Sequence, residues 1–354
     1  MLHQKPSVPT AAAKLRTEPR SAAGCDRISA LSSLIGNTPL IAIRVVVGGR
    51  SVAVYAKAEF YNLTGSIKDR MALNIIASAY ERGELAPGQE IVEATSGNAG
   101  ISLAALGRAL GHPVTIFMPD WMSAERRALL ASHGAQIRLV SHEAGGFLGS
   151  IDLAERHAAT CSGFLSRQFS NADNWRAHYE GTAPELVSQM AAVGVVPDAF
   201  VAGVGTGGTV MGVARYFRDH GLTAAVHPVE PAESPTLSTG HKVGRHRIQG
   251  VSDEFIPDIV KLAELAPVVA VPDGDAILMA QKLAGALGLG VGISSGANLV
   301  AALKVGLALE GEAVVATVFC DNSARYLSTD LARAEPARAD YLAPEVEFVD
   351  LRVI

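Results

Sequence analysis

From residue 52 to residue 230 the chain alternates short runs rich in branched apolar residues with longer segments of helical period. "VAVYAKAEF" (52–60), "EIVEA" (90–94), "PVTIFMP" (113–119), "QIRLV" (136–140), "DAFVAGVG" (198–205) and "AAVHPVE" (224–230) read as strands. Between them, helical patterns cover about Ser66 to Arg82, "GISLAALGRAL" (100–110), "SAERRALLASHG" (123–134) and "TVMGVARYFRDH" (209–220). Strands separated by helices pair most readily in parallel sheets with right-handed crossovers. The units are numerous for one sheet, so the expected architecture is α/β with two lobes and a cleft between them. With 49% hydrophobic residues, the 354-residue chain can fill the cores this requires.

Several function classes are disfavoured. The net charge of −5 is spread without long runs, and aromatic residues make up only 5%, so neither a nucleic acid nor an anionic membrane is the expected partner. No apolar run reaches the roughly 18–20 residues that span a bilayer. Cys25, Cys161 and Cys320 lie far apart without C-x-x-C spacing, which argues against a disulfide framework or a zinc site and fits a reducing cytoplasm. No H-x-x-x-H or H-E-x-x-H occurs, so no catalytic metal is expected. Residues 1–27 lack an apolar core segment and read as a disordered N-terminal extension. The irregular stretch 231–253 is of the kind that borders a site, and His241 and His246 on it could approach a substrate. Residues 331–354 leave the alternation and read as a C-terminal extension, docked on its own subunit or on a partner.

Lys68 is the anomaly. In "NLTGSIKDRMALNIIASAY" (62–80) Ser66 is a candidate cap, with Asp69 three positions on completing a box of hydrogen bonds. Lys68 then sits in the first turn, where a cation costs roughly 0.3–1 kcal/mol. Met71, Ala72, Ile75, Ile76 and Ala79 continue its stripe, so Lys68 shares the core face while Asp69, Arg70, Glu81 and Arg82 can face water, Asp69 and Arg70 reading as a cap and a surface or lobe-contact pair. A desolvated lysine at a helix amino end should hold its proton weakly, and a neutral amine can attack a carbonyl.

Two loops give that amine a context. In "EATSGNAGISLAALG" (93–107) small residues and the hydroxyls of Thr95 and Ser96 open a helix, which suits a carboxylate or a phosphate. In "VAGVGTGGTVMGVA" (201–214) Gly203, Gly205, Gly207 and Gly208 alternate with threonines before another helix, forming a phosphate cradle. Gly203, Gly205 and Gly208 also satisfy G-x-G-x-x-G, with Glu230 ending a strand about 20 residues later, as in a dinucleotide site. A nicotinamide-dependent oxidoreductase is therefore the alternative from a different class.

With "LIGNTPL" (34–40), "RQFSN" (167–171), "IQGVSDEFIP" (248–257), "GISSGAN" (292–298) and "RYLST" (325–329), these segments resemble, in order, the fold-type II pyridoxal-phosphate enzymes. The resemblance is greatest to the cysteine synthase (O-acetylserine sulfhydrylase) and cystathionine β-synthase branch. It covers roughly residues 28–330 and implies a fold like that of the tryptophan synthase β chain. Residues 62–172 would form a smaller mobile lobe, and 28–61 with 173–330 a larger lobe carrying the phosphate loop. Lys68 would hold the cofactor covalently and move the α-proton. Asn98 would meet the cofactor's phenolic oxygen. Gly205, Thr206, Gly207, Gly208 and Thr209 would take its phosphate. Ser294 would face the pyridine nitrogen, with Ser295 the neighbouring alternative. Thr95, Ser96, Asn98, Ala99 and Gln168 would line the substrate carboxylate, and Gly250 would lie on a loop that follows lobe closure.

The implied reaction is β-replacement on an activated L-serine through an aminoacrylate, with cysteine synthesis from O-acetylserine and sulfide foremost. Cystathionine synthesis and cysteine desulfhydration are the alternatives within the family. The resemblance also implies small-molecule substrates and a homodimer. Three departures bear on the substrates: Ala99 stands where threonine is common, Ser252-Asp253-Glu254 replaces a glycine-containing stretch, and "CDNSARY" (320–326) replaces an apolar-Pro-Ser lead.

Overall fold

The structure, a computed structural model, describes residues 20–251 and 254–354. Its strands are β1 (Leu40–Val47), β2 (Arg50–Ala58), β3 (Ile91–Ala94), β4 (Val114–Pro119), β5 (Gln136–Val140), β6 (Phe164–Leu165), β7 (Ala199–Gly203), β8 (Ala225–Pro231), β9 (Val269–Val271), β10 (Ala313–Phe319) and β11 (Glu347–Val353). They form two sheets. The four-stranded sheet is parallel throughout, in the order β5-β4-β3-β6. The seven-stranded sheet runs β11-β1-β2-β10-β7-β8-β9, with antiparallel pairs only where β1 meets β2 and β11. The fold is α/β, mostly parallel sheets flanked by helices, as the alternation predicts.

Side-chain alternation divides each sheet between two cores. In β3, Ile91 packs under the helices Lys68–Glu81 and Asn98–Ala109, while Val92 and Ala94 turn to the helix Gly146–Cys161. In the larger sheet Val54, Ala56 and Val315 face the helices Asp273–Leu287 and Ile293–Ala308. Phe200, Ala316 and Val318 face Ala183–Ala192 and Gly208–Asp219. The helix Ile293–Ala308 is buried nearly all round, which its run of apolar and small residues permits.

Three expectations change, and of the two alternatives for the C-terminal segment one holds. Residues 20–27, assigned to the N-terminal extension, lie in the helix Arg20–Ser32, and residues 1–19 fall outside the described residues. The C-terminal segment is part of the fold of its own chain: β11 pairs antiparallel with β1 from Ile41–Val353 to Val46–Glu347. Ser66 is not the cap, since the helix starts at Lys68 behind Ile67 in a helical conformation. The box is made instead by Thr64, whose N–H and Oγ1 both donate to Asp69 at 2.7 Å. Finally, Asp69 and Arg70 do not face water: both are buried. Arg70 turns to Glu59, which follows β2, and to Glu185 on the helix Ala183–Ala192. Burying a charge is tolerable only with such partners.

Candidate active site

The strands of both sheets end at one cavity. Its lining combines Lys68 from the start of its helix, Thr95, Ser96, Asn98 and Ala99 from the turn after β3, and Gln168 after β6. Gly205, Thr206 and Thr209 come from the turn after β7, Gly250 from the long loop, and Ser294 from the first turn of Ile293–Ala308. Segments about 140 positions apart in sequence, those of Lys68 and the glycine turn, therefore share one space. Gly207 and Gly208 complete the turn without appearing among the lining residues.

The glycine turn is shaped by its neighbours. Gly207 takes φ +85°, and a Cβ there would stand 2.2 Å from Val260 Cγ2. At Gly205 a Cβ would stand 2.4 Å from the Gly250 carbonyl oxygen. Only glycines let this turn pass under the long loop and present backbone N–H groups at the start of Gly208–Asp219. Thr206 Oγ1 accepts from Asn174 Nδ2 at 2.9 Å, and Thr209 Oγ1 lies 3.4 Å from His178 Nε2. Burial, then the charges of Lys68 and Arg70, hold His178 well below its usual protonation range. It is a neutral ring whose other nitrogen meets Thr182 Oγ1 at 2.9 Å.

The carboxylate loop is braced from behind. Gly97 N–H donates to Thr95 Oγ1 at 3.1 Å. Gln168 Nε2 donates to the Ala94 carbonyl at 2.8 Å, and its N–H donates to Glu93 at 3.0 Å. Glu93 is fully buried, and burial raises its pKa against the hydrogen bonds of Ser166, Gln168 and Ala94. Asn98 is gripped at both ends of its amide: Nδ2 donates to Asp321 at 2.6 Å and Oδ1 accepts from Arg325. An amide nitrogen carries two hydrogens, so one remains for a ligand. "CDNSARY" therefore holds the Asn98 side chain, a task its sequence does not announce. Of the two serines in "ISSG", Ser294 lines the cavity, whereas Ser295 is buried and accepts from Cys320 N–H at 2.9 Å. Cys320 also lines the cavity, and burial pushes its thiol up to about 12, so it stays protonated.

Residues that sequence reasoning passed over are Asn174, His178, Asp321, Arg325 and Arg126. Arg126 is buried, lines the cavity, and donates to Gln249. Of the loop histidines, His246 lines a second, outer chamber that shares Ser96, Arg126, Gln249 and Gly250 with this cavity, and His241 does not. Ser252 and Asp253 lie outside the described residues, and Glu254 pairs with Lys242 at 2.6 Å. Glu230 is not free to meet a ribose: its carboxylate accepts from the N–H groups of Leu237 and Ser238 and from the Ser238 hydroxyl. The dinucleotide reading loses its acidic residue. Glu90, His157 and Cys161 group away from the cavity, with His157 Nε2 3.3 Å from Glu90.

The donor set suits an anionic aldehyde cofactor. An amine for the carbonyl, a helix start with glycines and two threonines for a phosphate, and a lining with no carboxylate among the described residues all meet in one cavity. Comparisons with known proteins agree. Residues 31–321 match the family described as pyridoxal-phosphate dependent enzyme. A probable cysteine synthase of Bacillus subtilis is 40% identical over 301 residues, covering 85% of this chain and 96% of that protein. A hydrogen sulfide-producing enzyme from Fusobacterium nucleatum is 50% identical, with a TM-score of 0.90 over 93% of this chain and 99% of that one. The cysteine synthase of Entamoeba histolytica is 32% identical with a TM-score of 0.79, covering 95% and 96%.

Proposed function

This chain belongs to the pyridoxal-phosphate dependent enzymes, and from that premise we propose that it performs β-replacement on an activated L-serine, making L-cysteine from O-acetyl-L-serine and sulfide. The observation that carries the reading is the convergence of Lys68, the Thr95–Ala99 loop and the Gly205–Thr209 turn on one cavity. When bound, the cofactor supplies an electron sink for loss of the α-proton and of the β-leaving group.

The chain's own residues do the rest. Lys68 would hold the cofactor through its aldehyde and would move the proton at the substrate's α-carbon. The N–H groups and threonines of residues 205–209 take the phosphate. The neutral His178 props Thr209 without adding charge. Thr95, Ser96, Asn98 and Ala99, with Gln168 behind them, take the substrate carboxylate. The second hydrogen of Asn98 Nδ2 would be the one offered to the cofactor's phenolic oxygen. Ser294 would offer a neutral hydroxyl to the pyridine nitrogen, which would restrain the sink relative to an aspartate and favour β-elimination over deeper carbanion chemistry.

Borohydride reduction of the yellow protein followed by peptide mapping tests this. The label is expected on Lys68, and Lys68→Ala should lose both the visible band and, on the scale of acid–base catalysis, at least roughly 100-fold in turnover. A label on another lysine, or an active Lys68→Ala, would refute the assignment. A second reading, release of sulfide from cysteine, is supported by the 50% identity to the hydrogen sulfide-producing enzyme. Rates with cysteine and with O-acetylserine as donor separate the two.

A cytoplasmic homodimer completes the proposal. None of the described helices is long and apolar enough to cross a membrane. Val349 and Val353 on the edge strand β11 are 60% and 68% exposed, an apolar edge that a second subunit would cover. Light scattering should return twice the 36.8 kDa of one chain.

A further inference from the structure

We propose that Arg126 is an anion subsite for the acceptor, taking the carboxylate of a carboxylate-bearing thiol; the assignment rests on the β-replacement reading above. Arg126 is 2% exposed, yet among the described residues no carboxylate lies within ion-pair distance of it. Its partners are neutral: Nη1 donates to Gln249, and the guanidinium lies 5.1 Å from the centre of the Tyr326 ring. Nε is buried with no acceptor among the described residues. Two other arginines of the outer chamber are matched, Arg247 with Asp273 and Glu335, and Arg333 with Asp330. A buried guanidinium without a counter-ion is unfavourable, and its planar fork fits a carboxylate.

Position selects which carboxylate. Arg126 lies beneath the substrate loop, since a Cβ on Gly97 would stand 2.6 Å from its Nε. It lines both the inner cavity with Lys68 and the outer chamber with Trp121 and His142. The Thr95–Ala99 loop already serves the donor's α-carboxylate, and the glycine turn serves the phosphate. Arg126 is left for a third anion, arriving through the outer chamber. That chamber measures about 630 Å³, far more than hydrosulfide occupies and within the range of small-molecule sites. The reaction runs in two stages. The α-carbon gives up its proton and the β-carbon–oxygen bond breaks to release acetate. Only then does the thiol sulfur bond to the β-carbon while a proton returns to the α-carbon, the thiol proton balancing the acetate released.

The test uses the holoenzyme with O-acetylserine and two thiols that differ only at the anion, mercaptoacetate and mercaptoacetamide. Wild type should favour mercaptoacetate in kcat/KM. Arg126→Met should lower the mercaptoacetate value roughly 10–100-fold, as expected for losing a charged hydrogen bond, and lower the mercaptoacetamide value at least several-fold less. Arg126→Lys, which keeps the charge, should recover part of the preference. Cofactor absorbance and circular dichroism report whether each variant is folded and loaded. Calorimetry with methylthioacetate, which has no thiol to react, should show binding to wild type that Arg126→Met weakens by a similar factor. Equal use of the two thiols by wild type, or an equal loss of both in Arg126→Met, would overturn the subsite. Turnover with sulfide but with neither thiol would overturn it and leave β-replacement standing. Failure with sulfide and both thiols would bring down the β-replacement reading and the subsite with it.

Discussion

At Lys68 a cation begins a helix and shares a face with Met71, Ala72 and Ile75, all fully buried, and the structure gives this costly placement a purpose by opening a cavity in front of it. Gly207 shows a second kind of single-residue constraint. Its φ of +85° would cost an L-residue roughly 1–2 kcal/mol, and an added methyl would overlap Val260 Cγ2 at 2.2 Å. Gly207→Ala should therefore displace the turn after β7 and weaken cofactor binding at least about tenfold, the equivalent of that strain. Absorbance titration of the stripped protein with cofactor reads this directly, and unchanged affinity would mean that the turn does not hold the phosphate. Lys68 and the glycines stood out in the sequence because each breaks a local rule for its element, whereas Asn98, an ordinary residue at a helix start, was singled out only by the family resemblance. Arg126 breaks none: "AERR" offers two arginines on an ordinary helix, and only packing shows Arg126 turned under Gly97.

The helix Lys68–Glu81 was legible as an element, and its apolar stripe is the buried face the spacing predicts. Its polar side was misjudged because periodicity assigns a face and not a partner. Arg70 leaves the stripe but meets Glu59, which is itself inaccessible, at 2.7 Å, and Glu185 at 2.7 Å. Thr38 and Asn62 fill the remaining acceptor positions on Glu59. Removing the guanidinium leaves a buried carboxylate without its counter-ion, so Arg70→Met should destabilise the protein by roughly 3–5 kcal/mol. Urea unfolding measures it; a loss under about 1 kcal/mol would mean that the pair is not the anchor of this helix. The same limit explains the strands. The central parallel strands are buried on both faces and read as continuous apolar runs. By contrast, β11 alternates charged and apolar residues at a sheet edge, so "EFVDLRV" looks like a tail until β1 is found beside it. The Gly48–Gly49 turn, with φ +55° and +78°, joins β1 to β2 as a tight hairpin that alternation between strands and helices does not anticipate.

Across the whole molecule the two sheets meet where Arg70 reaches from the helix beside the smaller one to Glu59 and Glu185 beside the larger, and this junction gives stability a definite pH dependence. Burial would raise the Glu185 carboxyl, but the hydrogen bonds and charges of Arg70 and Lys57 overcome it and hold it at about 2, against 4.5 when unpaired. A carboxyl depressed on folding stabilises fully above its unfolded value and loses that contribution as pH falls toward the folded one. The window here is therefore from about 4.5 down to about 2, and the contribution, discounted for partial exposure, is on the order of 2 kcal/mol. Other buried carboxyls act in the opposite sense: burial raises Glu93 and Asp69, which therefore favour the fold more as they become protonated. The acid limb of wild type alone mixes these contributions, so the informative quantity is the difference from Glu185→Gln. That difference should be largest near neutrality, hold down to about pH 4.5, and shrink steadily below it as Glu185 takes up its proton. Thermal unfolding of both proteins across this range gives the curve. A gap independent of pH would mean that Glu185 acts by shape alone, and that the two sheets are joined by packing rather than by charge.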